Sequence, residues 1–279
     1  MRTRILTGTC LLAVAVPVMI FSDTFLFIAV MSILAGIGVF EMLRCLEVHK
    51  NYMLSIPSYC ITLLAPGATR YSDAFSSSGL LLFSVFYLYT VYILACSMFS
   101  RGRIRFAAAA QTIVATVYIG CGFACFIATR DLEKHGLFLL LMAFVITYAT
   151  DIFAYFVGVF FGKHKLIPAV SPKKTIEGSV GGTVLGTACF VGCAFLYSHF
   201  FKAGTPNVLP LIICGVSLSL VSQIGDLIAS FIKREKNLKD YGKIFPGHGG
   251  VMDRFDSAIA VMPVMYLLMS SSSAFTLFT

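Results

Sequence analysis

Charged residues are scarce in this chain of 279 residues, because Asp, Glu, Lys and Arg together make up only 12% of it. A soluble domain carries about 25% charged residues, so too few polar side chains exist here to cover a water-facing surface. Disorder is excluded as well, since disordered segments are poor in aromatic residues and this chain has 26 Phe and 12 Tyr. With 58% hydrophobic residues and a mean hydropathy of +0.89, the composition is that of a polytopic membrane protein.

The chain also lacks a long polar stretch, which excludes a separate soluble domain. Strict alternation of polar and apolar residues is missing, which disfavours a membrane β-barrel. Most apolar segments have the length of about 20 residues that a membrane-spanning helix needs. The segments are 5–22, 24–43, 53–66, 79–99, 106–128, 136–161, 175–200, 207–231 and 254–272. The sequence therefore predicts an all-α integral membrane protein with about nine transmembrane helices. No small-residue cleavage site precedes Asp23, so we expect the first segment to be retained.

Basic residues are unevenly distributed over the connections of this nine-span topology. If the N-terminus is cytoplasmic, 17 of the 21 Lys and Arg residues lie inside. The four on the outside are Arg70, Arg130, Lys134 and Lys202. Because cytoplasmic loops are enriched in Lys and Arg, we expect a cytoplasmic N-terminus and an outside C-terminus. Short basic clusters between apolar runs are typical of such loops, and we expect no nucleic-acid partner.

The two longest cytoplasmic connections, 162–174 and 232–253, are dense in Lys, Gly, Pro and His. Loops that carry chemistry have this composition, although a basic membrane anchor would also be rich in Lys. We therefore divide the chain into an N-terminal helical region, 1–130, that serves as a lipid-facing scaffold, and a C-terminal region, 131–279, that carries both loops.

Carboxylates lie within the apolar sequence at Asp151 in the sixth segment and Asp226 in the eighth. A charged residue at a helix centre costs about 2.5–3.5 kcal/mol, so a partner or a function is expected for each. Polar residues recur at helical spacing around both: Thr147, Asp151 and Tyr155, and then Ser219, Ser222, Gln223, Asp226, Ser230 and Lys233. Satisfied hydrogen bonds between helices are the alternative explanation, and for Asp151 it stays open.

Asp253 and Asp256 are spaced to share one face in the first turn of the ninth helix. Together with Asp226 they would repel one another at the cytoplasmic ends of the helices unless a cation neutralised them. Mg²⁺ binds through one or two protein carboxylates together with substrate phosphates. The three acids therefore indicate a divalent-metal site.

The seventh segment begins with the sequence Ser171-Pro172-Lys173-Lys174-Thr175. Ser171 is a favourable N-cap, and Pro suits the first helical turn, so we expect the helix to begin there. Two lysines beside a helix N-terminus form an anion site, although a capped helix with cytoplasmic anchor lysines explains them too. Glycines follow at Gly178, Gly182 and Gly186, a spacing that favours close helix packing.

The second loop contains the densest motif, from Lys239 to Gly250. Three glycines within four residues, beside Pro and His, allow backbone amides to close on phosphate oxygens. Cations suit phosphates, and the flanking Asp226 and Asp253 suit a metal. This combination is typical of phosphoryl or nucleotidyl transfer, in which catalysis is mostly positioning and charge neutralisation.

The segment from Ser230 to Asp256 closely resembles the signature of phosphatidate cytidylyltransferases, the CDP-diacylglycerol synthases. The matching residues are Ser230, Lys233, Arg234, Lys239, Asp240, Gly242, Lys243, Pro246, His248, Gly249, Gly250, Asp253, Arg254 and Asp256. The stretch Ser171–Gly178 is similar to a second motif of that family. Residues 1–130 contribute hydrophobicity only.

The resemblance implies a multi-pass, homodimeric enzyme of the cytoplasmic (inner) membrane, with its active site facing the cytoplasm. It would convert CTP and phosphatidate to CDP-diacylglycerol and pyrophosphate. The resemblance further implies a Mg²⁺ site on Asp226 and Asp253, with a monovalent cation as a second candidate ion. Expected catalytic residues are Asp226, Asp253, Lys239, Asp240 and Asp256. Expected substrate-binding residues are Ser171, Lys173, Lys174, Thr175, Lys233, Arg234, Lys243, His248, Gly249, Gly250 and Arg254.

Two other functions stay open. An ion-coupled transporter would also carry acids within the membrane, but it predicts inverted repeats and broken helices, and neither is visible here. A related CTP-using lipid enzyme, such as a polyprenol kinase or a CDP-archaeol synthase, shares the same phosphate chemistry. The residues separate this second alternative poorly from the main interpretation.

Overall fold

The computed structural model of the protein describes residues 2–71, 78–270 and 277–278. Nine helices occur within these ranges, and each coincides with one of the nine predicted apolar segments. They are α1 (Arg2–Ile20), α2 (Phe25–Cys45), α3 (Tyr52–Arg70), α4 (Ser78–Phe99), α5 (Phe106–Arg130), α6 (Gly136–Phe161), α7 (Ile176–Phe201), α8 (Val208–Glu235) and α9 (Met252–Ser270). Apolar runs form helices because a backbone in lipid must satisfy its own hydrogen bonds.

Five of the described helices are both long and apolar enough to cross a membrane, namely α2, α5, α6, α7 and α8. Shorter apolar stretches, Thr7–Ile20 and Phe83–Phe99, lie within α1 and α4. The chain is therefore a multi-pass membrane protein. The count of nine spans and the orientation of the two termini stay predictions.

The connection between α6 and α7 departs from the predicted all-helical fold. Lys165–Ile167 (β1) and Ser171–Thr175 (β2) form a two-stranded antiparallel ribbon. The paired residues are Lys165 with Thr175 and Ile167 with Ser171. Strands of three and five residues are too short to show an alternating hydrophobic pattern in the sequence. The prediction of an all-α chain is therefore wrong at this ribbon.

The predicted start of the seventh helix is also wrong, because Ser171 begins the strand β2 instead of capping a helix. Helix α7 begins at Ile176, and Thr175 is its N-cap. The amide of Gly178 donates a hydrogen bond to the Thr175 hydroxyl at 3.1 Å. Pro172 disfavours the helical conformation for the residue before it, and pairing with β1 keeps the following residues extended.

The chain forms two compact units. Unit 1 comprises Met1–Asp131 and Glu235–Phe255, and unit 2 comprises Leu132–Arg234 and Asp256–Thr279. In unit 1, α2, α3 and α5 pack against one another. Their buried side chains include Phe27, Met31, Met42, Ile119, Phe123 and Phe126. The loop 239–250, called the signature loop below, belongs to this unit. The start of α9, which follows it, packs on α2, because a Cβ on Gly38 would lie 3.5 Å from the sulfur of Met252.

Unit 2 is organised around the close approach of α6 and α7. A Cβ added to Gly178 would lie 2.6 Å from the Ala154 carbonyl oxygen, and one added to Gly182 would lie 2.7 Å from that of Thr150. At Gly186 the Cβ would meet the Thr150 hydroxyl at 2.7 Å. The predicted packing role of these three glycines is confirmed, since only a residue without a side chain permits this spacing.

Candidate active site

A cavity of about 630 Å³ opens in unit 2 where the β-ribbon, α6, α7 and α8 meet. Its charged lining residues are Asp151, Lys165, Lys173, Lys174 and Asp226. Its other lining residues are Ala154, Tyr155, Gly158, Val159, Gly162, Leu166, Thr175, Gly178, Ser179 and Gln223. Cations and acids thus share one cavity with aromatic and aliphatic side chains, a lining suited to a ligand with a charged head and an apolar body.

The Lys174 ammonium contacts the Asp226 carboxylate across this cavity, and each side chain is 26% exposed. Lys174 is presented from the end of β2, one residue before the cap of α7, whereas Asp226 lies on α8. Lys173 is exposed, whereas Lys174 is half-buried. The structure therefore brings together the predicted anion site and one of the predicted metal ligands.

Two further acids lie near Asp226. Asp151 interacts electrostatically with Asp226 and Lys174. Asp256 interacts with Asp226, Asp151 and Lys233. The approach of α9 to α8 depends on Gly225, because a Cβ there would lie 2.9 Å from the Asp256 carbonyl oxygen. Asp151 thus belongs to this cluster, although it is not among the site residues that the sequence predicts. The sequence signal for it is the polar stripe on α6.

The described residues contain no group of three or more His, Cys, Asp or Glu side chains placed to hold a metal ion on their own. A cation bound through one or two carboxylates and completed by phosphate oxygens is a different arrangement. Asp226 lies in unit 2 and Asp253 in unit 1. Their joint metal site stays a prediction.

A hydrogen-bonded network on α7 and α8 lies beside Asp226. The Gln223 amide nitrogen donates to the Thr183 hydroxyl at 2.9 Å, and its amide oxygen accepts from the Ser179 hydroxyl at 2.5 Å. The Ser219 hydroxyl accepts from that of Thr150 at 2.9 Å. The alternative explanation of the α8 stripe as hydrogen bonds between helices therefore holds for Gln223 and Ser219. Gln223 also lines the cavity, so it both joins helices and faces the site.

The ribbon is held to α7 at its base by Glu177. Its carboxylate accepts hydrogen bonds from the His164 ring at 2.6 Å and from the Lys163 amide at 3.1 Å. The Thr175 hydroxyl is engaged in capping α7. These contacts fix the strand end from which Lys174 projects.

The signature loop forms a second cavity, of about 690 Å³, within unit 1. It is lined by Lys239, Asp240, Gly242, Lys243, Phe245, Pro246, Gly247, His248, Gly249 and Arg254. Six of the predicted site residues are thus collected here, and three of them are exposed cations. Such a lining suits a polyanion.

Asp253 stands at the start of α9 and organises the loop. Its Oδ2 accepts hydrogen bonds from the amide of Tyr241 at 2.8 Å and from that of Gly250 at 3.0 Å. Gly249 has a φ of +86°, and a Cβ on it would lie 2.8 Å from the same oxygen. The amide of Gly250 therefore serves a carboxylate of this chain, which differs from its predicted use on phosphate.

The rest of the loop is closed by short backbone bonds. The Phe245 amide donates to the Gly249 carbonyl at 2.9 Å, and the His248 amide donates to the Phe245 carbonyl at 2.8 Å. Arg254 donates from Nε to the His248 carbonyl at 2.8 Å. The His248 Nδ1 is buried without a hydrogen-bond partner among the described residues.

Lys233 and Arg234 lie in the last turn of α8, within unit 2.

Two residues of α2 contact the signature loop and its surroundings, although the sequence does not predict them as site residues. Glu41 is buried and accepts a hydrogen bond from the amide of Met252, and Arg44 donates to the Tyr241 carbonyl. Both lie near the end of an apolar run, where charges are ordinarily explained as membrane-interface residues.

Comparisons with known proteins agree with the motif. The model of the family described as "Cytidylyltransferase family" matches residues 2–272. The chain is 34% identical over 277 residues to a protein of Bacillus subtilis (strain 168) named phosphatidate cytidylyltransferase, covering 97% of this chain and 98% of the relative. A protein of the same name from Staphylococcus aureus (strain COL) is 36% identical over 275 residues, covering 98% of this chain and 100% of the relative.

Proposed function

The chain belongs to the cytidylyltransferase family, and from that membership we propose that it converts CTP and phosphatidate to CDP-diacylglycerol and pyrophosphate. The observation that carries the proposal is the match over nearly the full chain to relatives named phosphatidate cytidylyltransferase. The family resemblance of the signature is confirmed by the same matches. The names of these relatives favour this reaction over a lipid kinase or a transporter.

The cavity of unit 2 takes the phosphatidate head group in this proposal. Its lysines face a phosphate, while Tyr155, Val159 and Leu166 offer apolar contacts to the glycerol and the first carbons of the acyl chains. A lipid substrate approaches such a cavity from the bilayer and keeps its acyl chains in lipid. We propose that the active site faces the cytoplasm at the inner membrane, because the excess of Lys and Arg in both loops favours a cytoplasmic position for them.

The cavity of the signature loop takes the triphosphate of CTP. Lys239, Lys243 and Arg254 line it, and each contributes a positive charge to offset a polyanion. Glycines in the loop permit close approach of the backbone to a ligand. Lys233 and Arg234 at the end of α8 add positive charge for the second phosphorylated substrate.

In the reaction, a phosphate oxygen of phosphatidate attacks the α-phosphorus of CTP. A new P–O bond forms, the bond between the α-phosphorus and its bridging oxygen to the β-phosphate breaks, and pyrophosphate leaves. Because a phosphate monoester is already ionised and nucleophilic, no general base is required. His248 therefore serves as a contact of the loop or of a phosphate, and the lysines supply the charge neutralisation on which this chemistry depends.

Mg²⁺ fits the donors present, because Asp226 and Asp253 offer hard carboxylate oxygens and Asp226 lines a cavity with cationic neighbours. When bound, the ion would neutralise phosphate charge and orient the triphosphate. Lys174 holds the Asp226 carboxylate in place from the ribbon side. A monovalent cation is a second candidate ion, and a homodimer is the proposed assembly.

The test is a product analysis. Purified protein in phosphatidate-containing liposomes receives Mg²⁺ and CTP labelled at the α-phosphate. We expect the label in a CDP-lipid together with one pyrophosphate per turnover. Label in CDP, with a newly phosphorylated lipid, would instead establish kinase chemistry and overturn the proposal. Lys202→Ala, at the far end of α7, is the control that should keep normal product formation.

A further inference from the structure

Glu41 is a carboxylate that the proposed chemistry does not use. It lies in the last turns of α2 and is only 1% exposed. Its Oε2 accepts a hydrogen bond from the Met252 amide at 2.9 Å. Its Oε1 is buried and has no hydrogen-bond partner among the described residues. Burial of a carboxylate is unfavourable unless the group is well paired, so this side chain needs a structural or functional reason.

Two glycines of the signature loop pack directly on this carboxylate. A Cβ built on Gly250 would collide with Oε1, Oε2 and Cδ of Glu41, which are its three nearest atoms. Gly250 is not among the glycines with positive φ, so its backbone conformation does not require glycine. A Cβ on Gly242 would also collide with Glu41, and it would lie 2.8 Å from the Gly250 backbone. Contact with Glu41 is therefore what requires a glycine at position 250.

The same stretch of backbone is held from α2 and from α9. Arg44, about one helical turn after Glu41, donates from Nη2 to the Tyr241 carbonyl at 2.5 Å. The amides of Tyr241 and Gly250 both donate to Oδ2 of Asp253. A shift of the loop away from Glu41 would therefore move the two amides that orient the Asp253 carboxylate.

We propose that Glu41 is a positioning residue that seats the loop 241–252 against α2 and thereby fixes the orientation of Asp253. Its nearly complete burial keeps it from substrate. The link to loop seating stands on the contacts alone, whereas the link to metal use rests on the proposed function of Asp253. Groups that orient a metal ligand alter metal affinity by about 10–100-fold when they are removed.

The experiment is a double-mutant cycle of Glu41→Ala and Gly250→Ala. Loop seating is measured without substrate, as the rate of trypsin cleavage after Lys239 and Lys243, both of which are exposed. Metal use is measured as the Mg²⁺ concentration that gives half-maximal CDP-lipid formation. Glu47→Ala is the matched control, because Glu47 is exposed and lies just beyond α2.

We expect each single variant to raise both the cleavage rate and the half-saturating Mg²⁺ concentration by about 10-fold or more. In the Glu41→Ala background the Gly250 substitution should add less than about threefold, because the atoms it collides with are gone. The control should leave both quantities within about twofold of wild type.

Independent, multiplying effects of the two substitutions on cleavage would overturn the proposal. A loss of turnover in Glu41→Ala with unchanged cleavage and unchanged Mg²⁺ dependence would also overturn it, since the loop would then be seated and Asp253 oriented without Glu41. If the chain made no CDP-lipid at all, the proposed function would fail, while the cleavage cycle would still decide whether Glu41 seats the loop. Gly250→Ala, which leaves α2 intact, keeps the test decisive if Glu41→Ala folds poorly.

Discussion

Replacement of Gly182 by alanine tests the close approach of α6 and α7 on which the unit 2 cavity depends. The new Cβ would lie 2.7 Å from the Thr150 carbonyl oxygen and 2.7 Å from the Ala154 Cβ. Carbon contacts are ordinarily about 3.5–4.0 Å, so the helices must separate by roughly 1 Å. Overpacking of this kind costs about 1–3 kcal/mol.

Gly192 provides a matched control in the same helix, because a Cβ there meets nothing within 4 Å. Alanine in a helix interior gains up to about 1 kcal/mol over glycine, and this gain applies equally to both positions. The difference between Gly182→Ala and Gly192→Ala therefore isolates the steric term. We expect the free energy of unfolding of Gly182→Ala to be about 1–3 kcal/mol lower than that of Gly192→Ala.

The free energy of unfolding can be measured for both variants by titration with SDS in mixed micelles. Gly192→Ala should equal or exceed wild type, and Gly182→Ala should fall below it. Equal stability of the two variants would refute the argument, because the helices would then not touch at Gly182.

Three further predictions follow from the same contacts. Gln223→Leu should lower the free energy of unfolding in SDS by about 1–2 kcal/mol, since interhelical hydrogen bonds in membranes contribute about 0.6 kcal/mol each and this side chain forms several; an unchanged value would contradict the network. Lys174→Ala should lower kcat/KM for CDP-lipid formation about 10–100-fold, the equivalent of one charge-assisted hydrogen bond of about 1.5–3 kcal/mol. Wild-type kinetics of this variant would show that Lys174 only anchors the loop at the membrane surface. The control is Lys163→Ala, because Lys163 is exposed. In a cysteine-free background, single cysteines should react with an impermeant reagent only from the cytoplasm at four positions and only from outside at three, and one exchange between the groups would break the nine-span topology. The positions are Lys50, Arg103, Lys165 and Lys243 inside, and Arg70, Lys134 and Lys202 outside.

The helical segments could be predicted from the sequence because hydropathy alone decides where a chain in lipid must satisfy its backbone by forming helices. The ribbon could not. Ser171 and Pro172 have the local chemistry of a helix start, and only pairing with β1 decides for a strand. Nothing in residues 165–167 signals that partner, since a three-residue strand shows no periodicity.

The candidate site was predictable as a set of residues but not as a set of contacts. The sequence predicts Asp226 from its place in an apolar segment and Lys174 from its motif, yet the ion pair between them depends on the ribbon. Gly250 was predicted to present its amide to phosphate, whereas the amide binds Asp253 and the missing side chain accommodates Glu41. Contacts between residues about 200 positions apart in the sequence, such as that of Glu41 with Met252, leave no local signature.

The proposed Mg²⁺ site on Asp226 and Asp253 is tested most directly by the dependence of turnover on Mg²⁺. Asp226→Asn and Asp253→Asn keep nearly the same shape and remove the charge, and Asp23→Asn, at an exposed position after α1, is the control. We expect each of the first two variants to lower kcat by at least ~100-fold, with part of the loss recovered by raised Mg²⁺ or by Mn²⁺. Chelation of the metal should abolish wild-type turnover. Near-normal turnover of either variant, with an unchanged Mg²⁺ dependence, would contradict the shared cation.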